Sequence, residues 1–234
     1  MKQIKFLILS LCCVYACNAM SQETFWTKGA SNDSLCFIIP KVGSKDKVAF
    51  AGCKNSIVLK IPNSVTHDGK TYEVVSIAFQ ALTGNRQIVE VNIPASVHVI
   101  EASAFEGCIN LKKVNLENGI KIINDYAFQD CTNLKECVIP ETVTTIGEAV
   151  FRGCDHLKAV TLPSKITEIP YKLFMGCFKL QSVNIPSGVT HIGDYAFCNC
   201  TALRQLSIPD NAQLEKHSLQ GCGSAAMYAA KIKK

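Results

Sequence analysis

The sequence predicts a repeat solenoid: parallel coils of 23 residues, each built from short β-strands, turns and a short helical or 3-10 segment. Three observations predict it. Phe105, Phe128, Phe151, Phe174 and Phe197 recur at one fixed step. Cys108, Cys131, Cys154, Cys177 and Cys200 keep the same step, as do Leu111, Leu134, Leu157, Leu180 and Leu203. Ile93, Leu116, Ile139, Leu162, Ile185 and Ile208 extend the register to six units, and five of the six precede a proline. A single unit cannot bury its apolar face alone, whereas stacked neighbours bury a continuous core.

The elements follow in order. Residues 1–19 read as a secretory signal: Lys2 and Lys5, the apolar run 6–16, then Ala16, Cys17, Asn18 and Ala19. That run is too short to span a bilayer, which takes about 20 residues. Cleavage after Ala19 gives a secreted protein. Val14-Tyr15-Ala16-Cys17 also resembles a bacterial lipobox, which would lipidate Cys17 and give an outer-membrane lipoprotein; Tyr15 is atypical there, so plain secretion ranks first. Residues 20–57 read as a linker and an N-terminal capping hairpin, Cys36 to Ile39 against Lys47 to Ala51 around Gly43. Ala49-Phe50-Ala51-Gly52-Cys53 also mimics the repeat, so a degenerate first coil stays open.

The solenoid is assigned to residues 58–222. Its first unit is weaker, with Ile77, Leu82, Gly84, Ile88 and Val91 one step before their counterparts. An insertion there carries His67-Asp68-Gly69-Lys70, whose Asp-Gly reads as a hairpin turn. Residues 223–234 are Ala-rich with a lysine-rich end and predict a C-terminal capping helix.

Within a coil, Val114 and Leu116 alternate with Lys113 and Asn115, the period of a half-buried strand. Proline then ends the ladder, because it has no N–H; in this one unit Glu117-Asn118-Gly119 stands instead. A second extended piece follows (Val143 to Ile146), then one helical or 3-10 turn bearing Ala-Phe. The position before each cysteine holds Gly84, Gly107, Asp130, Gly153, Gly176, Asn199 and Gly221, residue types that tolerate a left-handed backbone. One such corner per coil is predicted.

Composition narrows the function. Of 234 residues 48% are apolar and 18% charged, against about 25% in typical domains, which excludes a disordered chain. The net charge of +5 is too mild and scattered for nucleic acid. The 13 cysteines admit disulfide, zinc and core-filler readings. The periodic column reads as filler, since free Cys is among the most buried residue types. No metal is expected, because no His keeps the register. Cys36 with Cys53 is the expected disulfide, across the capping hairpin.

The run Ile139-Pro140-Glu141-Thr142-Val143-Thr144-Thr145-Ile146-Gly147-Glu148-Ala149-Val150-Phe151-Arg152-Gly153-Cys154-Asp155-His156-Leu157-Lys158-Ala159-Val160 resembles the BspA-type leucine-rich repeat family of bacterial surface proteins. The resemblance covers residues 58 to 222 and takes in the Gly69-Lys70-Thr71-Tyr72 insertion. It implies a curved leucine-rich repeat solenoid and a secreted or surface-attached binding protein, with adhesion to proteins or glycans as a common role. The chain departs from the family in showing no long C-terminal anchoring domain, so surface display is expected to rest on Cys17.

No enzyme is expected. The five histidines, His67, His98, His156, His191 and His217, form no nucleophile motif and read as surface residues, and no phosphate-cradling or H-E-x-x-H pattern is present. No cofactor is implied. The expected partner is a protein or glycan, not nucleic acid, with membrane contact only through a lipid at Cys17. The binding face is assigned to the concave strand row, with Asn92, Asn115, Thr161 and Asn184 outward, and to its rim of Lys112, Lys135, Lys158 and Arg204, interrupted by Gln181. Two readings of the rim stay open: a stripe attracting acidic surfaces, or a solvated edge that keeps the array soluble. A structural or assembly component of the cell envelope, stacking through the solenoid ends, is the alternative to a ligand-binding module.

Overall fold

The computed structural model describes residues 23–29, 33–40 and 46–223, the Gln205 side chain aside. The leader, Cys17, the Gly43 turn and the C-terminal helix lie outside the described residues. Three strands open the described chain: β1 (Glu23–Lys28), β2 (Ser34–Ile39) and β3 (Lys47–Lys54). They form an antiparallel ribbon, with Phe25 opposite Phe37 and Phe37 opposite Phe50. These rings pack at 5.6 and 5.9 Å and close one end of the core. β3 joins the solenoid by pairing in parallel with Lys70–Ile77, Phe50 against Ile77. Phe50 is thus a strand residue and not part of a degenerate coil.

The insertion folds as predicted. Ser64–His67 pairs antiparallel with the start of Lys70–Ile77, and both Asp68 (φ 50) and Gly69 (φ 74) are left-handed, as the tight hairpin turn requires.

Beyond it the chain winds as a parallel β-solenoid with two strand rows. The first row is a seven-stranded sheet: Val58–Lys60, Glu90–Ile93, Lys113–Leu116, Glu136–Val138, Ala159–Thr161, Ser182–Asn184 and Gln205–Ser207 in spatial order. Alternate residues point inward, so Leu59, Val91, Val114, Cys137, Val160, Val183 and Leu206 are all buried. The second row has two-residue strands. Val99–Ile100, Ile122–Ile123 and Thr145–Ile146 continue the sheet that contains Lys70–Ile77, while Glu168–Ile169, His191–Ile192 and Gln213–Leu214 form a separate three-stranded sheet. Pro170 explains the split. Glu101, Asn124, Gly147, Gly193 and Glu215 each donate an amide to the preceding coil's isoleucine carbonyl at 2.8–3.0 Å. Pro170, at the same position, has no amide hydrogen.

The repeated phenylalanines line up as one buried file. Phe105, Phe128, Phe151, Phe174 and Phe197 stack with centroids 5.1–5.9 Å apart. The turn before each of them corrects the predicted helical segment. It is a run of tight turns whose amides alternate in direction. Ser103, Phe105 and Gly107 donate across to Asp125, Ala127 and Gln129 of the next coil at 2.8–3.0 Å, while Ala104, Glu106 and Cys108 donate back three residues within their own coil. A helix cannot form, because left-handed residues interrupt it twice. The predicted corner is one, with φ of 55–76° from Gly84 to Gly221. A second lies two residues before each phenylalanine, and before Leu82 in the first coil: Gln80, Ser103, Tyr126, Ala149, Lys172 and Tyr195, with φ of 52–60°. An L-residue there costs about 1–2 kcal/mol. The cost is offset where Gln80, Ser103, Tyr126, Ala149 and Lys172 use that geometry to aim an amide at the next coil, at 2.9–3.1 Å.

Candidate binding face

The outer face of the seven-stranded sheet is built by the residues between the inward ones. Its rim is a backbone ladder in its own right. Lys135 donates to the Lys112 carbonyl, Lys158 to Lys135, Gln181 to Lys158 and Arg204 to Gln181, at 3.4, 2.8, 3.0 and 3.0 Å. Five long side chains therefore leave one edge at the spacing of adjacent strands, and all five are exposed. Thr161 and Asn184 sit side by side in register and are exposed. Asn92 and Asn115 are half-buried and engaged with each other: the Asn115 amide donates to Asn92 Oδ1 at 2.6 Å and to Glu90 Oε1 at 2.8 Å. Glu90 also holds Lys113 at 3.4 Å. This end of the face is thus tied into a network, while Ala159, Thr161, Ser182, Asn184 and Ser207 give the other end small outward groups.

A cleft of about 450 Å³ lies at the C-terminal ends of these strands, lined by Ala95, Leu116, Glu117, Asn118, Val138 and Pro140. A second, of about 530 Å³, follows the second row where Pro170 splits it, and includes Asp125, Glu148, Glu168, Tyr171, His191 and Asp194. Carboxylates of this second cleft serve the fold. Asp125 accepts the Glu148 amide at 2.8 Å, and Asp194 accepts the His217 amide at 2.8 Å and meets its ring at 3.1 Å. Burial pulls the Asp194 carboxyl upward, but these hydrogen bonds from His217 outweigh it and hold it below the ordinary range. Glu141 is likewise held low, by the Ser164 hydroxyl and amide.

The cysteine column is more than filler. Each Sγ donates to a carbonyl of the preceding coil: Cys108 to Leu82, Cys131 to Phe105, Cys154 to Phe128, Cys177 to Phe151, Cys200 to Phe174 and Cys222 to Phe197, at 3.0–3.3 Å. Burial pushes the Cys108 and Cys137 thiols up to about 12 and the other column thiols upward as well. The register does not bring Cys36 and Cys53 together. Cys36 lies opposite Gly52 and Cys53 opposite Leu35, and neighbours along a strand point to opposite faces. Among the described residues no group of three or more His, Cys, Asp or Glu side chains converges to hold a metal. His98 is exposed, while the other four histidines are half-buried. His67 stacks on Phe25 at 4.0 Å, and His156 Nδ1 lies 2.9 Å from the Thr132 carbonyl.

Two stacked strand rows, a buried phenylalanine file and a 23-residue coil define a leucine-rich repeat β-solenoid. The family model described as the BspA type leucine rich repeat region matches six copies over residues 46–177, 75–204 and 121–231, and the chain belongs to that family. Similar solved structures include a leucine-rich repeat protein from Bacteroides ovatus (30% identity, TM-score 0.62, 81% of this chain and 56% of that one). A leucine rich cell surface protein from Faecalibacterium prausnitzii is 25% identical, with TM-score 0.67 over 82% of this chain and 56% of that one. The leucine rich repeat protein of T. pallidum is 25% identical, with TM-score 0.54 over 76% and 87%. The chain thus spans little more than half the length of the first two. None of the curated proteins compared with the chain matches it.

Proposed function

We propose that the chain is an exported, non-catalytic interaction protein that binds a protein or glycan on the outer face of its seven-stranded sheet, at the cell surface or after secretion. The observation that carries this reading is the rim. Lys112, Lys135, Lys158 and Arg204 stand, with Gln181 among them, in hydrogen-bonded register along one edge of a sheet whose outward residues are mostly polar, with Val138 and Ala159 among the exceptions. Aligned cations beside a low face favour acidic surfaces and steer their approach. The family, and a structural neighbour described as a cell surface protein, support the binding role and the location. The signal layout of residues 1–19 supports export, and the mass of the exported N-terminus distinguishes a lipidated Cys17 from cleavage after Ala19.

The test is a binding screen on an array of neutral and carboxylated glycans and a panel of acidic proteins, at low and physiological salt. The Lys112/Lys135/Lys158→Ser variant is expected to lose the salt-sensitive signal. If that signal persists unchanged in the variant, the rim is only a solvated edge.

A further inference from the structure

We propose that the cleft at Leu116 and Val138 seats one aliphatic or aromatic side chain of an acidic protein segment, so that this face recognises protein rather than glycan. The proposal rests on the reading above that the sheet face and its lysine rim take a ligand, and it names the class of that ligand.

Three departures from the repeat meet at this cleft. The first is the missing proline. Pro94, Pro140 and Pro163 are buried against the apolar column, which is sealed at Ile93, Ile139 and Leu162. At the matching position Glu117 turns outward, accepting the Ala95 amide at 3.1 Å and donating its own to the Ile93 carbonyl at 3.1 Å. Leu116 is left half-buried, unlike the rest of its column. The second departure is in the ladder. Neighbouring strands of this sheet pair over three or four residues, but Lys113–Leu116 and Glu136–Val138 share only the Lys113–Glu136 pair. The pairing stops short of their C-terminal ends, where the cleft lies. The third is Val138, 65% exposed in a column that otherwise holds Lys60, Asn92, Asn115, Thr161, Asn184 and Ser207.

The cleft is pre-organised. A Cβ on Gly119 would lie 1.8 Å from the Ala95 carbonyl oxygen, so the Glu117–Gly119 turn presses on the preceding coil as only glycine permits. On its other side the Gly119 amide donates to Thr142 Oγ1 at 3.2 Å, and that hydroxyl donates to the Ile120 carbonyl at 2.7 Å. A site already shaped avoids the ordering cost of binding.

The lining selects the occupant. Ala95, Leu116, Val138 and Pro140 offer aliphatic walls beside Glu117 and Asn118, so the ligand's carboxylates belong at the rim and not in the cleft, and no lining residue has an aromatic ring on which a sugar could stack. Lys112 stands four residues upstream of Leu116 along the strand, roughly 13 Å at about 3.3 Å per residue. An extended segment laid along the strands therefore reaches the rim with a carboxylate about four residues from the apolar side chain in the cleft.

The experiment uses two fluorescein-labelled synthetic decapeptides, one with a leucine four residues after its last carboxylate, the other with serine in its place. Anisotropy against the unaltered protein should show the leucine peptide binding about tenfold tighter, with Leu116 and Val138 methyl resonances shifting on titration. Val138→Asp should abolish the tenfold preference and keep the salt-sensitive binding common to both peptides. Val138 is exposed, so this variant should fold, and Glu117→Pro, which restores the repeat, serves as a second way to close the cleft. Equal binding of the two peptides overturns the cleft and leaves the rim. A leucine preference and affinity that survive Lys112/Lys135/Lys158→Ser overturn the rim and leave the cleft. If neither peptide binds the unaltered protein, both readings fall.

Discussion

Replacing Cys154 with alanine removes a sulfur that is sealed from solvent and donates to the Phe128 carbonyl at 3.3 Å. Losing that volume resembles deleting a buried methylene, about 1 kcal/mol with the cavity it leaves. The S–H···O contact adds about 0.5–1 kcal/mol. Cys154→Ala should therefore destabilise by roughly 1.5–2 kcal/mol. Cys154→Ser separates the two contributions. Its hydroxyl is smaller than the thiol but can donate to the same carbonyl, so it should cost about 1 kcal/mol, no more than alanine. If the column were filler alone, serine would bury an unsatisfied hydroxyl and lose a further 1–3 kcal/mol or so relative to alanine. Urea unfolding under reducing conditions reads the difference as midpoint shifts, with slopes of about 1–3 kcal/mol per molar. A serine variant less stable than the alanine variant by more than about 1 kcal/mol would refute the donor role.

Alkaline pH should unfold the protein steeply. The thiols of Cys108, Cys131, Cys137, Cys154, Cys177, Cys200 and Cys222 are all raised from their ordinary value by burial. Above about pH 9 the unfolded chain releases protons that the folded chain keeps, so stability falls as pH rises, by up to about 1.4 kcal/mol per pH unit for each thiol. A urea midpoint that stays flat between about pH 8 and 10 contradicts this. The corner glycines should differ in sensitivity. At Gly107 (φ 67) a Cβ would meet nothing nearer than Gly84 at 3.7 Å, so Gly107→Ala should cost only the backbone strain of about 1–2 kcal/mol. Gly153→Val (φ 69) puts a β-branched residue in the left-handed region and should cost clearly more, although its Cβ would meet only the tip of the exposed Asp130 side chain, which can turn away. Thermal melts compare them, and a Gly153→Val protein melting with the unaltered one removes the corner from the account.

The periodic core was legible in the sequence because burial allows few residue types. Phe, Leu, Ile and Cys in fixed columns point to stacked coils, and Gly, Asp or Asn before each cysteine betrays the first left-handed corner. The second corner was not legible, since Gln80, Ser103, Tyr126, Ala149, Lys172 and Tyr195 have no shared chemistry. At the first five of these the conformation is set by an amide that must reach the next coil. The helical expectation failed for the same reason: the Ala-Phe composition suits a helix, but bonds between coils take the amides a helix would use. β1 was missed, although Gly29 and Ser31-Asn32-Asp33 are turn-favouring residue types, because the short stretch from Glu23 to Lys28 carries only one inward aromatic. The rim residues were readable by spacing, whereas the Asn92–Asn115–Glu90 network that occupies part of the face needed two strands in register to be seen.

A strictly repeating chain spends its periodic positions on its own core, so recognition has to come from what breaks the period. Each strand row is broken once. Pro170 splits the second row by withholding an amide, yet Asp125 and Asp194 in the cleft beside it are already used as acceptors for Glu148 and His217. The break at Glu117 differs in kind. It leaves Leu116 half-buried and Val138 exposed, about four residues along the strand from the rim lysines. Unpartnered apolar surface is a standing cost to a folded chain, whereas a carboxylate capping a turn is not. The surface that is poorly accounted for by the protein's own stability is therefore the one best accounted for by a partner.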